Sequence, residues 1–147
     1  MKKNVSMNEI VPLIEETIRN NKQFRLYIKG VSMIPLLREE KDSVLLGKCD
    51  EIEKNDIILY RRRNGQYVLH RVMKIEETLT LCGDNQHYFE YGIKYEDVVA
   101  KVFKIYRKEK ALKKKPKDMK LYLHFIFIRR KVKVLKRIIE KKLKGEK

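Results

Sequence analysis

The sequence has no Trp, only two cysteines and no long apolar run. The cysteines, Cys49 and Cys82, have no CxxC spacing and no ligand-like His beside them, which argues against a zinc site and against a disulfide framework. Both read as core or surface thiols, and no metal or cofactor is implied. A membrane-spanning helix needs about 18 or more consecutive apolar residues, and none is present. Met1-Lys2-Lys3 resembles the charged start of an export signal, but the apolar stretch of residues 10–14 ends at Glu15-Glu16, too short for the core of a signal peptide. The body is therefore expected in the cytoplasm.

Acidic residues are scarce in one region only. Of 147 residues, 36 are Lys or Arg and 20 are Asp or Glu. Met1 to Ala100 holds 16 of each sign, whereas Lys101 to Lys147 holds 20 basic and 4 acidic residues, so the whole net charge of +16 lies in the last third. A hydrophobic content of 43% spread along the chain excludes a disordered polyelectrolyte and is enough for one packed domain. A balanced body with a basic tail points to an anionic partner for the tail, phospholipid headgroups or nucleic acid.

Apolar residues at Ile10, Leu13, Ile14 and Ile18 predict a helix over residues 8–21, with Asn8 as N-cap, Glu9 in the first turn and Pro12 at that turn's edge. From Phe24 to Tyr106 the pattern changes to short runs rich in Val, Ile, Leu and Tyr separated by polar turns, which predicts strands over 24–28, 43–46, 56–60, 66–75, 78–82 and 97–106. Asn64-Gly65 is a hairpin signal that folds the third of these onto the fourth. Lys108 to Asp118, around Pro116, reads as a linker. Beyond it, Leu121, Phe125, Ile128, Val132, Leu135 and Ile139 recur every four and three residues with Lys and Arg between them, predicting a basic amphipathic helix of about 25 residues. The expected organisation is an N-terminal helical segment (1–22), a mainly β domain (23–107) and a lysine-rich linker with the basic helix (108–147).

Three polar segments interrupt this pattern. Gly30-Val31-Ser32-Met33-Ile34-Pro35 is neither an ordinary strand nor an ordinary turn; His70 sits inside an otherwise apolar and basic strand; Gly83-Asp84-Asn85 falls where a strand ends. A serine is inert at neutral pH without a base, and a histidine base needs an acceptor on its second nitrogen to fix its tautomer. Ser32, His70 and Asp84 supply those three roles. Each also has an ordinary reading: a solvated hydroxyl, a half-buried strand histidine and a turn-forming aspartate.

In order, Gly30-x-Ser32-Met33-x-Pro35, Lys54-Asn55-Asp56-Ile57-Ile58-Leu59-Tyr60, His70-Arg71-Val72 and Gly83-Asp84-Asn85 resemble the motif set of the type I signal peptidase family. They are closest to its Ser-His-Asp branch, found in the endoplasmic reticulum, in archaea and in some spore-forming bacteria. The self-cleaving repressors of the LexA type share the fold but resemble the chain less, since no helix-turn-helix precedes Ser32 and no Lys base stands at position 70. The resemblance covers residues 24–105. It implies a β catalytic core and a serine peptidase that cleaves a leader or signal-type peptide after small residues. Ser32 would be the nucleophile, His70 the general base and Asp84 its orienting partner. Backbone amides at Ser32 and near Gly30 would hold the oxyanion, each such donor being worth about 3 kcal/mol in better-studied sites. Met33, with Pro35 beside it, would floor a shallow pocket, and Glu90 is the nearest match to the family's second acid.

The chain departs from the family in three places. It has no membrane-spanning helix ahead of Ser32, and the family's two Gly-Asp pairs are here Lys41-Asp42 and Asn55-Asp56, of which Asn55 tolerates a left-handed turn and Lys41 less so. The basic helix, within residues 119–145, offers a substitute anchor on an anionic membrane surface, each basic residue there contributing about 1 kcal/mol. That expectation places the protein peripherally at the cytoplasmic face, with a peptide or preprotein as substrate. The same spacing suits a helix that docks on the body or pairs with a partner, and nucleic acid ranks behind both. A second class of function is a catalytically silent relative that binds peptides or acts as a membrane-surface scaffold; a third is a nucleic-acid-binding regulator.

Overall fold

The computed structural model describes residues 5–145, so Met1-Lys2-Lys3 lies outside it. Helix α1 spans Met7–Arg19. Its N-cap is Ser6 rather than Asn8: the Glu9 carboxylate accepts from the Ser6 backbone N–H at 3.1 Å, the return half of a capping box that the Ser-x-x-Glu spacing provides. Pro12 consequently sits in the second turn, where its missing N–H removes one donor from the helix. Val11, Ile14 and Ile18 are buried.

Eight strands follow: β1 (Phe24–Tyr27), β2 (Asp42–Gly47), β3 (Ile57–Arg61), β4 (Tyr67–Ile75), β5 (Leu79–Cys82), β6 (Glu90–Ile93), β7 (Val98–Arg107) and β8 (Lys110–Ala111). All pairings are antiparallel, in the order β1-β2-β7-β3-β4-β5-β6, with β8 on the end of β7. The mainly β architecture expected from the alternating apolar runs is therefore observed. Strands β6 and β8 have no β-branched run to announce them; β6 carries Gly92 at φ +72°.

The β3–β4 connection turns through residues 62–66, with Gly65 N–H donating to Arg62 O at 2.9 Å and Gly65 at φ +85°. Gly65 thus takes the left-handed position that closes a three-residue hairpin loop. Asn55, at φ +74°, occupies the left-handed position foreseen for it; in the earlier turn that position belongs to Glu40 (φ +61°), which relieves Lys41 of it.

Strand β3 shows why the chain needs a continuous apolar run there. Ile57 and Leu59 join a core with Ile14, Leu26, Met33, Leu37, Val44 and Ile105, while Ile58 and Tyr60 join a second cluster with Val72, Leu79 and Leu81 on the other face. A strand buried on both faces cannot alternate apolar and polar residues. Each such fully buried side chain contributes about 1.5–3 kcal/mol.

Helix α2 spans Lys120–Leu143, close to the expected length. Its orientation reverses the ordinary expectation for an amphipathic helix. Tyr122, Ile126, Arg129, Arg130 and Lys133 face the body, Ile126 and Arg130 being buried. The apolar stripe from Leu121 to Ile139 is 47–87% exposed.

Candidate active site

Ser32 lies in the connection between β1 and β2, half-buried. Gly30 before it has φ +82°, and the Ile34–Pro35 peptide after it is cis. Two observations tie this loop to the turn after β5. Asn85 N–H donates to Ser32 O at 2.8 Å, and Asn85 Nδ2 donates to Val31 O at 3.0 Å. The approach is so close that a Cβ on Gly83 would stand 2.6 Å from Ser32 O. Glycine is required at position 83 for space, not for backbone angles. Met33 is buried with Sδ 3.4 Å from the Asp84 N–H, so it floors the loop from below. Gly30, Ser32 and Met33 line, with Tyr67 and Leu69, a cavity of about 100 Å³.

His70 and Arg71 are consecutive in β4 and so point to opposite faces. Arg71, 1% exposed, forms a two-point ion pair with Asp84, Nε to Oδ1 and Nη2 to Oδ2 both at 2.8 Å, and its Nη1 donates to Asn55 O at 2.7 Å. Tyr122 Oη on α2 donates to Asp84 Oδ2 at 2.8 Å. Burial and the Asp84 charge push the Tyr122 hydroxyl well above the usual tyrosine range, so it stays a donor. Both oxygens of Asp84 are therefore engaged away from His70. The carboxylate facing His70 is instead that of Glu90, the second acid.

His70 is fully buried. Its Nδ1 lies 3.2 Å from Glu90 Oε2 and 3.0 Å from Tyr60 Oη. Arg62 Nε lies 2.6 Å from Glu90 Oε1, a charge contact without hydrogen-bond alignment, and steadies the acid from its far side. Burial first, and the Arg62 charge second, push His70 down to about 4, with Asp84 opposing weakly; burial pushes Glu90 up. A proton on Nδ1 directed at Glu90 would leave the lone pair of the neutral ring on Nε2, the tautomer a general base needs. Nε2 is buried and has no hydrogen-bond partner among the described residues, so it makes none with Ser32. The described residues thus form two groups on opposite faces of β4: the Ser32 loop with Gly83, Asp84 and Arg71, and His70 with Tyr60, Glu90 and Arg62.

Residues 2–103 match the model of the Peptidase S24-like family, about two thirds of the chain and all of both groups. The chain belongs to the Peptidase S24-like family. No curated protein matches it. The match supports the peptidase-type fold for this S24-like chain at a level coarser than the signal peptidase branch. Of the expected residues, it covers Gly30, Ser32, Met33, Pro35, His70, Asp84 and Glu90. Among the described residues no cluster suited to a metal ion occurs, and no helix is long and apolar enough to cross a membrane. Cys49 and Cys82 are free thiols, both raised by burial, Cys49 to about 11.

Tyr60, Arg62, Arg71 and Tyr122 were not singled out from the sequence. Tyr60 was accessible to pairing logic: it opposes Val68 across β3 and β4, which makes it the diagonal neighbour of His70. Arg71 was accessible to alternation, since a charge next to His70 must face the opposite side. Tyr122 had no such signal, because it comes from a helix 38 residues beyond Asp84.

Proposed function

We propose that the protein is a serine endopeptidase that cleaves a leader or signal-type peptide after small residues, as the signal-peptidase-like motif order suggests. In this reading Ser32 is the nucleophile, His70 the base and Glu90 the partner that orients it, while Asp84 positions the Ser32 loop through its own turn. One observation carries the reading: a buried histidine, held well below its ordinary pKa, with an acid 3.2 Å from Nδ1 and an Nε2 without a partner among the described residues. A buried polar atom without a partner is uncommon and calls for an explanation. The small cavity beside Ser32 supports the preference for small side chains, and backbone amides of the loop supply the oxyanion donors. Peptide binding draws the Ser32 hydroxyl onto Nε2, catalytic hydrogen bonds often being long before substrate arrives.

A second reading, a peptide-binding relative without catalysis, is favoured by a His70 Nε2 that has no partner among the described residues, Ser32 included. Mass spectrometry separates the two. Wild-type protein is incubated with peptides carrying Ala-x-Ala and with bulky controls. Cleavage after the small residue should fall at least about a thousandfold in both Ser32→Ala and His70→Ala. New termini that survive in Ser32→Ala overturn the serine mechanism, and peptide binding without cleavage by wild type selects the second reading.

A further inference from the structure

Helix α2 carries nine basic residues and a single acid, Glu140. Arg129, Arg130 and Lys133 are committed to the body, donating to Ile34 O, Gln86 O and Asn85 O. The opposite side of the helix presents Leu121, Phe125, Ile128, Val132, Leu135 and Ile139 in one unbroken stripe, and nothing among the described residues covers it. Exposed apolar stripes of this length mark a surface that meets something. Lys136 flanks the stripe on one side and Lys131 and Lys142 on the other, all exposed. Beside it, Phe127, Val134 and Ile138 line, with Met73 and Phe89, an apolar groove of about 570 Å³ rimmed by Lys54 and Lys131.

Two candidates fit an apolar stripe: a second copy of the same helix or a lipid surface. A second copy would set flanking lysines against lysines along the whole seam, where paired helices need opposite charges. An anionic bilayer accepts both features, the stripe sinking into the acyl boundary while the lysines reach the headgroups along their alkyl stems.

We propose that α2 beds its outer stripe in the surface of an anionic phospholipid bilayer. Because the inner stripe of the same helix holds the loops of Ser32 and Asp84, those loops stand about one helix diameter, roughly 10 Å, above the acyl boundary, at the level of the headgroups. The proposal goes beyond the peptidase reading and stands whether or not Ser32 cleaves peptides. Flotation of the full chain with vesicles of phosphatidylglycerol and phosphatidylcholine, against phosphatidylcholine alone, tests it. Wild type should float with the anionic vesicles and stay behind with the neutral ones. The triple variant Ile128→Ser, Val132→Ser, Leu135→Ser should lose about tenfold or more of that retention with its melting temperature unchanged. A charge variant, Lys131→Gln, Lys136→Gln, Lys142→Gln, should also lose retention and become less sensitive to salt. Wild type that ignores anionic vesicles, with or without a stripe-dependent dimer, overturns the proposal; so does a stripe variant that floats as wild type does.

Discussion

His70 and Arg71 are neighbours in one strand, both fully buried and both ionisable, and the protein treats them in opposite ways. Arg71 has every part of its guanidinium answered, by Asp84, by Asn55 O and by Pro116 O. His70 has one nitrogen answered and one left open. A satisfied buried ion pair organises structure, whereas an open buried nitrogen costs stability, which the proposed peptidase reading explains as a base kept for use. The difference teaches that the buried ionisable groups of this core divide into a frame and, in the proposed reading, a tool, one on each face of β4.

The frame breaks first. Asp84→Ala leaves the Arg71 charge buried and unpaired and should cost about 3–5 kcal/mol in urea unfolding. Replacing the pair together, Arg71→Met with Asp84→Leu, should recover most of that loss, as expected when the penalty is the orphaned charge rather than the lost attraction. A double variant no more stable than the single one would mean that the Ser32 loop, not the charge, is what Asp84 supports.

The tool shows itself through pH. An unfolded histidine takes up its proton near 6.5, whereas folded His70 waits until about 4. Stability is thus fully present above the unfolded value and declines as pH falls from 6.5 toward 4, by up to ~3 kcal/mol. His70→Gln should remove that part of the slope while leaving stability at pH 8 less affected. Cleavage should likewise hold its rate down to about pH 5 instead of falling below pH 6.5. An acid limb centred at the ordinary histidine value would place a different group as the base.

The smallest effect sharpens the boundary between the two halves. Tyr122→Phe removes one donor from Asp84, whose Oδ2 keeps Arg71, and should cost about 2 kcal/mol, typical of a hydrogen bond to a charged group. If His70 is independent of the frame, the acid slope of the Phe variant will overlay that of wild type.

The strand pattern was legible because apolar runs of β-branched and aromatic residues left little choice, and Asn55 announced its left-handed turn by its identity. The two edge pieces β6 and β8 carried no such run. In the site, residue types could name a serine, a histidine and two acids but not which acid faced the ring, since that depends on Arg71 claiming Asp84 from the far side of the strand. The α2 stripe was visible as a period, yet period says nothing about which side docks. Here guanidinium and ammonium groups bond to the open carbonyls of residues 34, 83, 85 and 86, and that hydrogen bonding turned the basic side inward.

The Arg129 bond to Ile34 O joins positions 95 residues apart. During synthesis at about 5–20 residues per second, the Ser32 loop therefore leaves the ribosome roughly 5–20 s before the arginine that holds it. For that interval a nascent chain has its serine without its clasp. Translation itself thus imposes a delay between making the Ser32 loop and fastening it, so the fixed geometry of that loop is a property of the finished chain.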